Sequence, residues 1–337
     1  MKRNVKKISF IKIGVIGLCF FLFQNANLVS AKDPDYPTRP ITCYIAFGAG
    51  GVTDLMSRAF LGAASKNIGQ PFVPVNKPGA GGTIATMAVL TAKPDGYSLG
   101  TITASNAFMA PFSDDAPYKD LNGFTMIVNF GYHIYPLLVR ADAPWKTWQE
   151  FIDWARKNPR AAKVSLTGAK STASQGLVLW QVEKREKVEF AYIVFKGSAE
   201  VLSALLGGHI TMYTSGADAA TMDYIKEGKL RILAYMSTEK VPGYENIPST
   251  QELYGFSIPN IGGIFGPKGL PDYVLKKLDD AFARAVKDPE FINFMNRAVT
   301  PIVYMNRAQM NKYVEETFPK AGEIIKILKA EEAKEKK

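Results

Sequence analysis

Short runs rich in β-branched and aromatic residues alternate with stretches whose apolar residues recur at helical spacing, and this alternation governs what the chain can fold into. Parallel strands need long crossovers, usually helices, so the pattern implies an α/β fold of parallel sheets covered by helices. The expected strands are residues 41–47, 72–75, 97–103, 125–129, 134–139, 163–167, 188–194, 210–213 and 230–236. Helices are marked by their punctuation. Thr147-Trp148-Gln149-Glu150 reads as a capping box ahead of the apolar face Trp148, Phe151, Ile152 and Ala155, and Pro159 closes that helix. Ser198 and Asp218 read as N-caps, and Gly228 as a C-terminal cap with Lys226 and Lys229 beside it. From Asp272 onward, Val274, Leu275, Leu278, Phe282 and Val286 recur as one helical face that packs on a sheet.

Residues 1–31 read as an export signal. Lys2, Arg3, Lys6, Lys7 and Lys12 make a basic start, residues 13–23 form a short apolar run, and Val29-Ser30-Ala31 supplies small residues at the cut. Cleavage is expected after Ala31, into the periplasm; the alternatives are an uncleaved anchor or lipidation at Cys19, which sits inside the apolar run and not at its end. With the five leader cations removed from 41, 36 basic residues face 31 acidic ones, a net charge of +5. That balance suits an anionic solute but lacks the dense basic stripe of a nucleic-acid binder, so no nucleic-acid partner is expected. The mixed-charge end 331–337 reads as a solvated, fraying helix terminus. Cys43 alone survives processing, which excludes an intrachain disulfide, and its place in an apolar strand makes it a small core residue.

Motifs for metal, phosphate and nucleophile chemistry are missing. The two histidines, His133 and His209, lie 76 residues apart, and neither paired cysteines, an Asp-rich calcium loop nor a Gly-x-Ser-x-Gly elbow occurs. No metal and no cofactor is expected.

A Gly-rich turn stands twice between a strand and a helix: residues 47–54 (Phe-Gly-Ala-Gly-Gly-Val-Thr-Asp) and residues 76–83 (Asn-Lys-Pro-Gly-Ala-Gly-Gly-Thr). Glycine lets backbone approach a ligand closely, and the first amides of a helix lack internal partners, so an anion is the natural occupant. Neither turn carries the third glycine of a dinucleotide fingerprint or the Lys-Ser/Thr of a P-loop, which argues against a nucleotide. Tight connection without a ligand is the competing reading of both.

The ordered set Tyr36-Pro37-Thr38-Arg39-Pro40-Ile41, the two turns, Gly69-Gln70-Pro71, Pro94-Asp95-Gly96-Tyr97, Lys196-Gly197-Ser198-Ala199, Leu206-Gly207-Gly208, Gly228-Lys229-Leu230-Arg231 and Gly266-Pro267-Lys268-Gly269-Leu270-Pro271 resembles the Bug family. These are the TctC-like substrate-binding proteins of tripartite tricarboxylate transporters. The resemblance implies a two-lobe periplasmic binding protein of type II with the ligand cleft between lobes. Residues 32–130 and 251–337 would form lobe one, and residues 131–250 lobe two. It implies a small organic carboxylate as ligand, membrane transporter subunits as partners and a monomer. The candidate ligand-binding set, from the turns and the resemblance together, is Ala49, Gly50, Gly51, Thr53, Asp54, Thr103, Ala104 and Ser105 from lobe one, with Gly168, Lys170, Ser171, Thr172, Ser174 and Ser215 from lobe two. Departures from the family pattern are Ala49 for a usual proline, a 168–175 loop without its histidine, His209-Ile210-Thr211 without an acidic residue, and Ile261 for a tryptophan.

The expected function is therefore capture of a carboxylate, without catalysis, for a transporter. The alternatives are a ligand sensor feeding a two-component system, or a secreted enzyme using Asp54 or Asp95 as a base, for which no tuned acid–base pair is found by spacing.

Overall fold

Three parallel strands open the described chain, because each apolar run is followed by a helix that carries the backbone over the sheet and back. The structure is a computed structural model that describes residues 35–114, 116–170, 173–238, 240–241, 243–257 and 261–335. The export signal with its cut after Ala31, Cys19, and the candidate residues Ser171 and Thr172 lie outside the described residues. Strand β1 (Ile41–Ile45) leads through α1 (Val52–Ile68) to β2 (Phe72–Asn76), and α2 (Thr83–Leu90) leads to β3 (Ser98–Thr103). With β4 (Phe124–Gly131) and β9 (Gly262–Pro267) they form a five-stranded sheet ordered β2-β1-β3-β9-β4, in which β9 runs antiparallel to both neighbours.

The chain then builds a second sheet. Strand β5 (Tyr135–Arg140) pairs antiparallel with β8 (Leu230–Met236), and β6 (Lys163–Leu166) pairs parallel with β7 (Ala191–Val194). The two pairs are stitched by the bridges Leu138 to Tyr213 and Val164 to Met212. The segment expected as a strand over 210–213 is thus present only as these bridges, and the run at 188–194 is strand only from Ala191. Helices α3 (Trp148–Lys157), α4 (Ser174–Glu186), α5 (Ser198–Leu206) and α6 (Ala219–Lys226) belong to this part, and the short α7 (Thr250–Tyr254) precedes the return to β9. Helices α8 (Asp272–Ala285), α9 (Pro289–Arg297) and α10 (Arg307–Glu335) complete the chain.

Strand β9 escaped the sequence reading because four of its six residues are glycine or proline. The glycines are there for packing: a Cβ on Gly263 would lie 2.1 Å from the Val128 carbonyl oxygen, and one on Gly266 would lie 2.7 Å from Leu270. Bulky residues form the core on either side. Phe60 of α1 stacks on Phe130 with ring centroids 4.3 Å apart and meets Phe282 and Phe291 of α8 and α9. In the second part Phe151 is buried against Trp148, Trp145 and Phe190, and the Trp148 indole donates to the Tyr254 hydroxyl at 2.6 Å.

Two caps differ from expectation. Thr147 Oγ1 accepts from Glu150 N at 3.2 Å, but the Glu150 carboxylate reaches Lys146 N instead of closing the box on Thr147. The complete reciprocal box is Ser249 with Glu252. Asp218 caps α6 as expected, whereas α5 is capped by Gly197, and Ser198 is free to use its hydroxyl elsewhere. Gly228 adopts φ +69° just beyond the α6 cap, the left-handed turn the sequence called for.

Candidate functional site

The first Gly turn runs from β1 into α1, and its own groups decide what it can offer. Asp54, 2 % exposed, folds back so that its carboxylate accepts from Gly50 N at 2.9 Å, Arg58 Nε at 2.7 Å and Asn76 Nδ2 at 2.8 Å. Gly51 N is turned to the Gly48 carbonyl at 3.3 Å. The Gly50 and Gly51 amides, expected to meet a ligand, are both bonded inside the turn. Asp54 holds the turn in shape, and Ala49 and Gly50 are exposed on its outer side. The amide that leaves the turn belongs to Val52, which donates to Ser198 Oγ at 2.7 Å.

That bond brings the starts of α1 and α5 together. A Cβ on Gly51 would sit 3.3 Å from Ser198 N, and Gly48 N donates to the Lys196 carbonyl at 3.1 Å. Two helix N-termini, each with a partial positive charge, thus abut at one place. Beside them opens a cleft with about 340 Å³ of non-atom space, part of it open to solvent, walled by both helix starts and by Ser105, Tyr135, Thr167 and Ser215. None of its wall residues among the described residues carries a charged side chain.

The hydroxyls of the cleft are oriented by bonds behind them. Ser174 N donates to Ser105 Oγ at 3.2 Å, Ser105 Oγ to Ser174 Oγ at 3.5 Å, and Ser174 Oγ to Gln175 Oε1 at 3.4 Å. Gln175 Nε2 then donates to Thr167 Oγ1 at 2.8 Å. Thr167 ends this relay as an acceptor, which leaves its proton for whatever lies in the cleft. Ser215, 1 % exposed, has a buried Oγ without a hydrogen-bond partner and lines the same space. Burial raises the phenol of Tyr135 to about 12, so it stays protonated.

Thr53 lines the cleft, and its Oγ1 lies 3.2 Å from Nε2 of His133. The ring of His133 is 2 % exposed, and burial lowers its pKa to about 4, against a smaller opposing effect of the Ile261 backbone. Thr103 uses its N–H and hydroxyl on Asn106 Oδ1, at 2.7 and 3.0 Å, and Ala104 is buried beside it.

The loop after β6 departs most from expectation. Lys170 Nζ lies 2.5 Å from Glu183 on α4 and 4.9 Å from the Tyr192 ring centroid, so its charge is met there and it is not among the cleft's wall residues. The chain is locked in this course because a Cβ on Gly176 would fall 2.2 Å from the Lys170 carbonyl oxygen. Gly168, at φ +150°, follows Thr167 and is not among the cleft's wall residues. Of the candidate set, Gly51, Thr53, Ser105 and Ser215 line the cleft, and Ser174 stands behind it. Sequence reasoning missed Thr167, Tyr135, Gly197 and Ser198 as wall residues. The signal for the last two was available: Lys196-Gly197-Ser198 is a third strand–glycine–helix turn. The second Gly turn is a tight connection, since a Cβ on Gly82 would lie 3.1 Å from Ala46 and 3.4 Å from Asn106.

Comparison with known proteins agrees with this architecture. The family model described as "Tripartite tricarboxylate transporter family receptor", TctC, matches residues 56–329. A UPF0065 protein in the gbd 5'region of Cupriavidus necator is 34% identical over 323 residues, covering 94% of this chain and 96% of that protein. The solved structure of the periplasmic binding protein BugD is 27% identical, with TM-score 0.80 over 86% of this chain and 98% of BugD. MatC from Rhodopseudomonas palustris with bound malate shares the fold, at TM-score 0.78 and 23% identity over 86% of this chain and all of that one (100%). With two α/β sheets meeting at a cleft as in a two-lobe periplasmic binding protein, and a family match across most of its length, the chain belongs to the TctC, or Bug, family of tripartite tricarboxylate transporter receptors.

Proposed function

We propose that this chain is a periplasmic solute-binding protein that captures a small organic carboxylate, unaltered, and delivers it to membrane transporter subunits. The observation that carries the reading is the convergence of the α1 and α5 N-termini on one cleft lined by hydroxyls. Amides at two helix starts and the protons of Thr167, Ser198 and Ser215 are donors, and a carboxylate is an acceptor-only group of matching charge. A cleft wall without acidic or basic side chains favours holding the acid over converting it, because catalysis needs a positioned acid or base. Residues 32–130 with 251–337, and residues 131–250, are proposed to close on the ligand about the crossings near 131 and 250. A drop in radius of gyration on binding, read by small-angle scattering, tests that closure.

A thermal-shift screen against mono-, di- and tricarboxylates tests the ligand class, since a ligand at 100 times its Kd adds about 2.7 kcal/mol to the folded state. Mass spectrometry of the recovered acid separates binding from turnover. A stabilising acid returned unchanged supports the reading, and a converted acid contradicts it.

A further inference from the structure

A second pocket opens between α10 and the segment 120–126 that leads into β4. It holds about 770 Å³ of non-atom space, part of it open to solvent, against about 340 Å³ for the cleft. Its floor is apolar: Met126 and Val314 are buried, and Leu121, Phe124 and Phe318 are half-buried around them. The ionisable wall residues among those described are two exposed acids, Asp120 and Glu315. On a chain with 41 basic and 31 acidic residues, a pocket walled by acids alone favours a cation.

The cations next to these acids in sequence are engaged elsewhere. Lys119 Nζ donates to the Ser113 and Asp114 carbonyls at 2.7 and 2.9 Å, and Lys312 pairs with Glu316 at 4.0 Å. Asp120 Oδ1 accepts from Asn122 N at 2.8 Å, which leaves Oδ2 for a ligand. Pro319, inside α10, has no N–H for the Glu315 carbonyl, so the same wall carries a further acceptor. A guanidinium matches this set, because its donors suit carboxylates and carbonyls while its face stacks on phenylalanine rings. Exposed carboxylates hold a free cation weakly, whereas the apolar floor favours one that brings apolar groups with it.

Both walls of the pocket are tied to the cleft. The Tyr118 hydroxyl, just ahead of the segment 120–126, donates to the Asn106 carbonyl at 2.7 Å, and the Phe318 ring meets Phe112 with centroids 4.8 Å apart. Asn106 and Phe112 belong to one stretch, a π-helical turn followed by a 3₁₀ turn, that begins at Ser105 of the cleft wall. A partner seated in the pocket therefore touches groups held by the segment that carries Ser105.

We propose that this pocket is a docking surface for another protein, and that it takes an arginine side chain presented beside apolar residues, with Asp120 and Glu315 meeting the guanidinium. The assignment stands whatever the cleft binds.

Backbone-amide NMR of the exported protein tests it with three probes: acetyl-Leu-Arg-Leu-amide, the same peptide with neutral citrulline for arginine, and argininamide. The arginine peptide should shift the amides of Leu121, Asn122, Phe124 and Phe318. It should bind about fivefold or more tighter than the citrulline peptide, the scale of an exposed charge pair, and tighter than argininamide. Asp120→Asn combined with Glu315→Gln should erase the arginine–citrulline difference and leave the thermal melt in place, since both side chains are exposed. If that variant melts lower, the wild-type ratio decides. Equal binding of the two peptides, a difference that survives the double variant, or an arginine peptide that leaves these amides unmoved overturns the proposal. Argininamide binding as tightly as the peptide would make this a site for a free cation. A dimer in sedimentation that the double variant dissolves would seat a second copy there, and either result overturns docking of another protein.

Discussion

The backbone N–H of Val52 donates to the hydroxyl of Ser198 at 2.7 Å, across 146 residues of sequence. This bond fixes the start of α1 against the start of α5, and Gly51 makes room for it. Gly51 has φ −81°, so alanine is tolerated by the backbone, but its Cβ would lie 3.0 Å from Ser198 Oγ and 3.3 Å from both Ser198 N and Gly48 O. Gly51→Ala should therefore spread the two helix starts and weaken carboxylate binding at least about tenfold, or roughly 1.4 kcal/mol. Calorimetric titration beside a thermal melt checks that the loss lies in binding and not in folding.

Lys170 sits with Glu183 and Tyr192, away from the cleft wall. Removing a partly buried ion pair affects the fold and not the ligand, so Lys170→Ala should lower stability by about 1 kcal/mol. The acid should bind that variant within about twofold of wild type. A tenfold loss of affinity without loss of stability would place a charge in the site after all.

Asp54 gathers Gly50, Arg58 and Asn76 around one buried carboxylate. Asp54→Ala removes charged hydrogen bonds worth about 1.5–3 kcal/mol each at most, and it frees the turn that aims Val52 N. Denaturant unfolding should show a loss of that order, and ligand affinity should fall with it. If Asp54 were instead a base, the alanine variant would keep its fold and bind a substrate that it no longer converts.

His133 gives the fold a dependence on pH. The unfolded chain takes up a proton near 6.5, while the folded chain resists until about 4, because burial penalises the cation. Between those values the unfolded state binds more protons, so stability falls as pH is lowered through the window, by at most about 3 kcal/mol. Urea unfolding at pH 7.5 and pH 4.5, for wild type and His133→Gln, should show a larger loss in the wild type. Equal losses would mean that His133 titrates normally.

Most of the architecture is visible in the sequence because its strands and helices obey the simple periods, as β1 to β3 and the Asp272 helix show. Strand β9 breaks those rules, since contacts with Val128 and Leu270 demand glycine where propensity reads a turn. At the site, the first Gly turn and the hydroxyls Thr53, Ser105 and Ser215 were legible as chemistry. Which amides remain open was not: Asp54 takes Gly50 N through a fold-back, and Ser198 reaches Val52 N only because distant segments meet. Lys170 attracted attention by its charge, but Glu183, one helix further on, had the geometry to claim it.

The most direct measurement is a crystal structure of the protein with the most stabilising acid of the carboxylate screen. The account predicts that its carboxylate oxygens lie within about 3.2 Å of first-turn amides of α1 and α5 and of the Ser198 or Ser215 hydroxyl. An acid bound outside this cleft, or inside it with its carboxylate turned to solvent, would contradict the account.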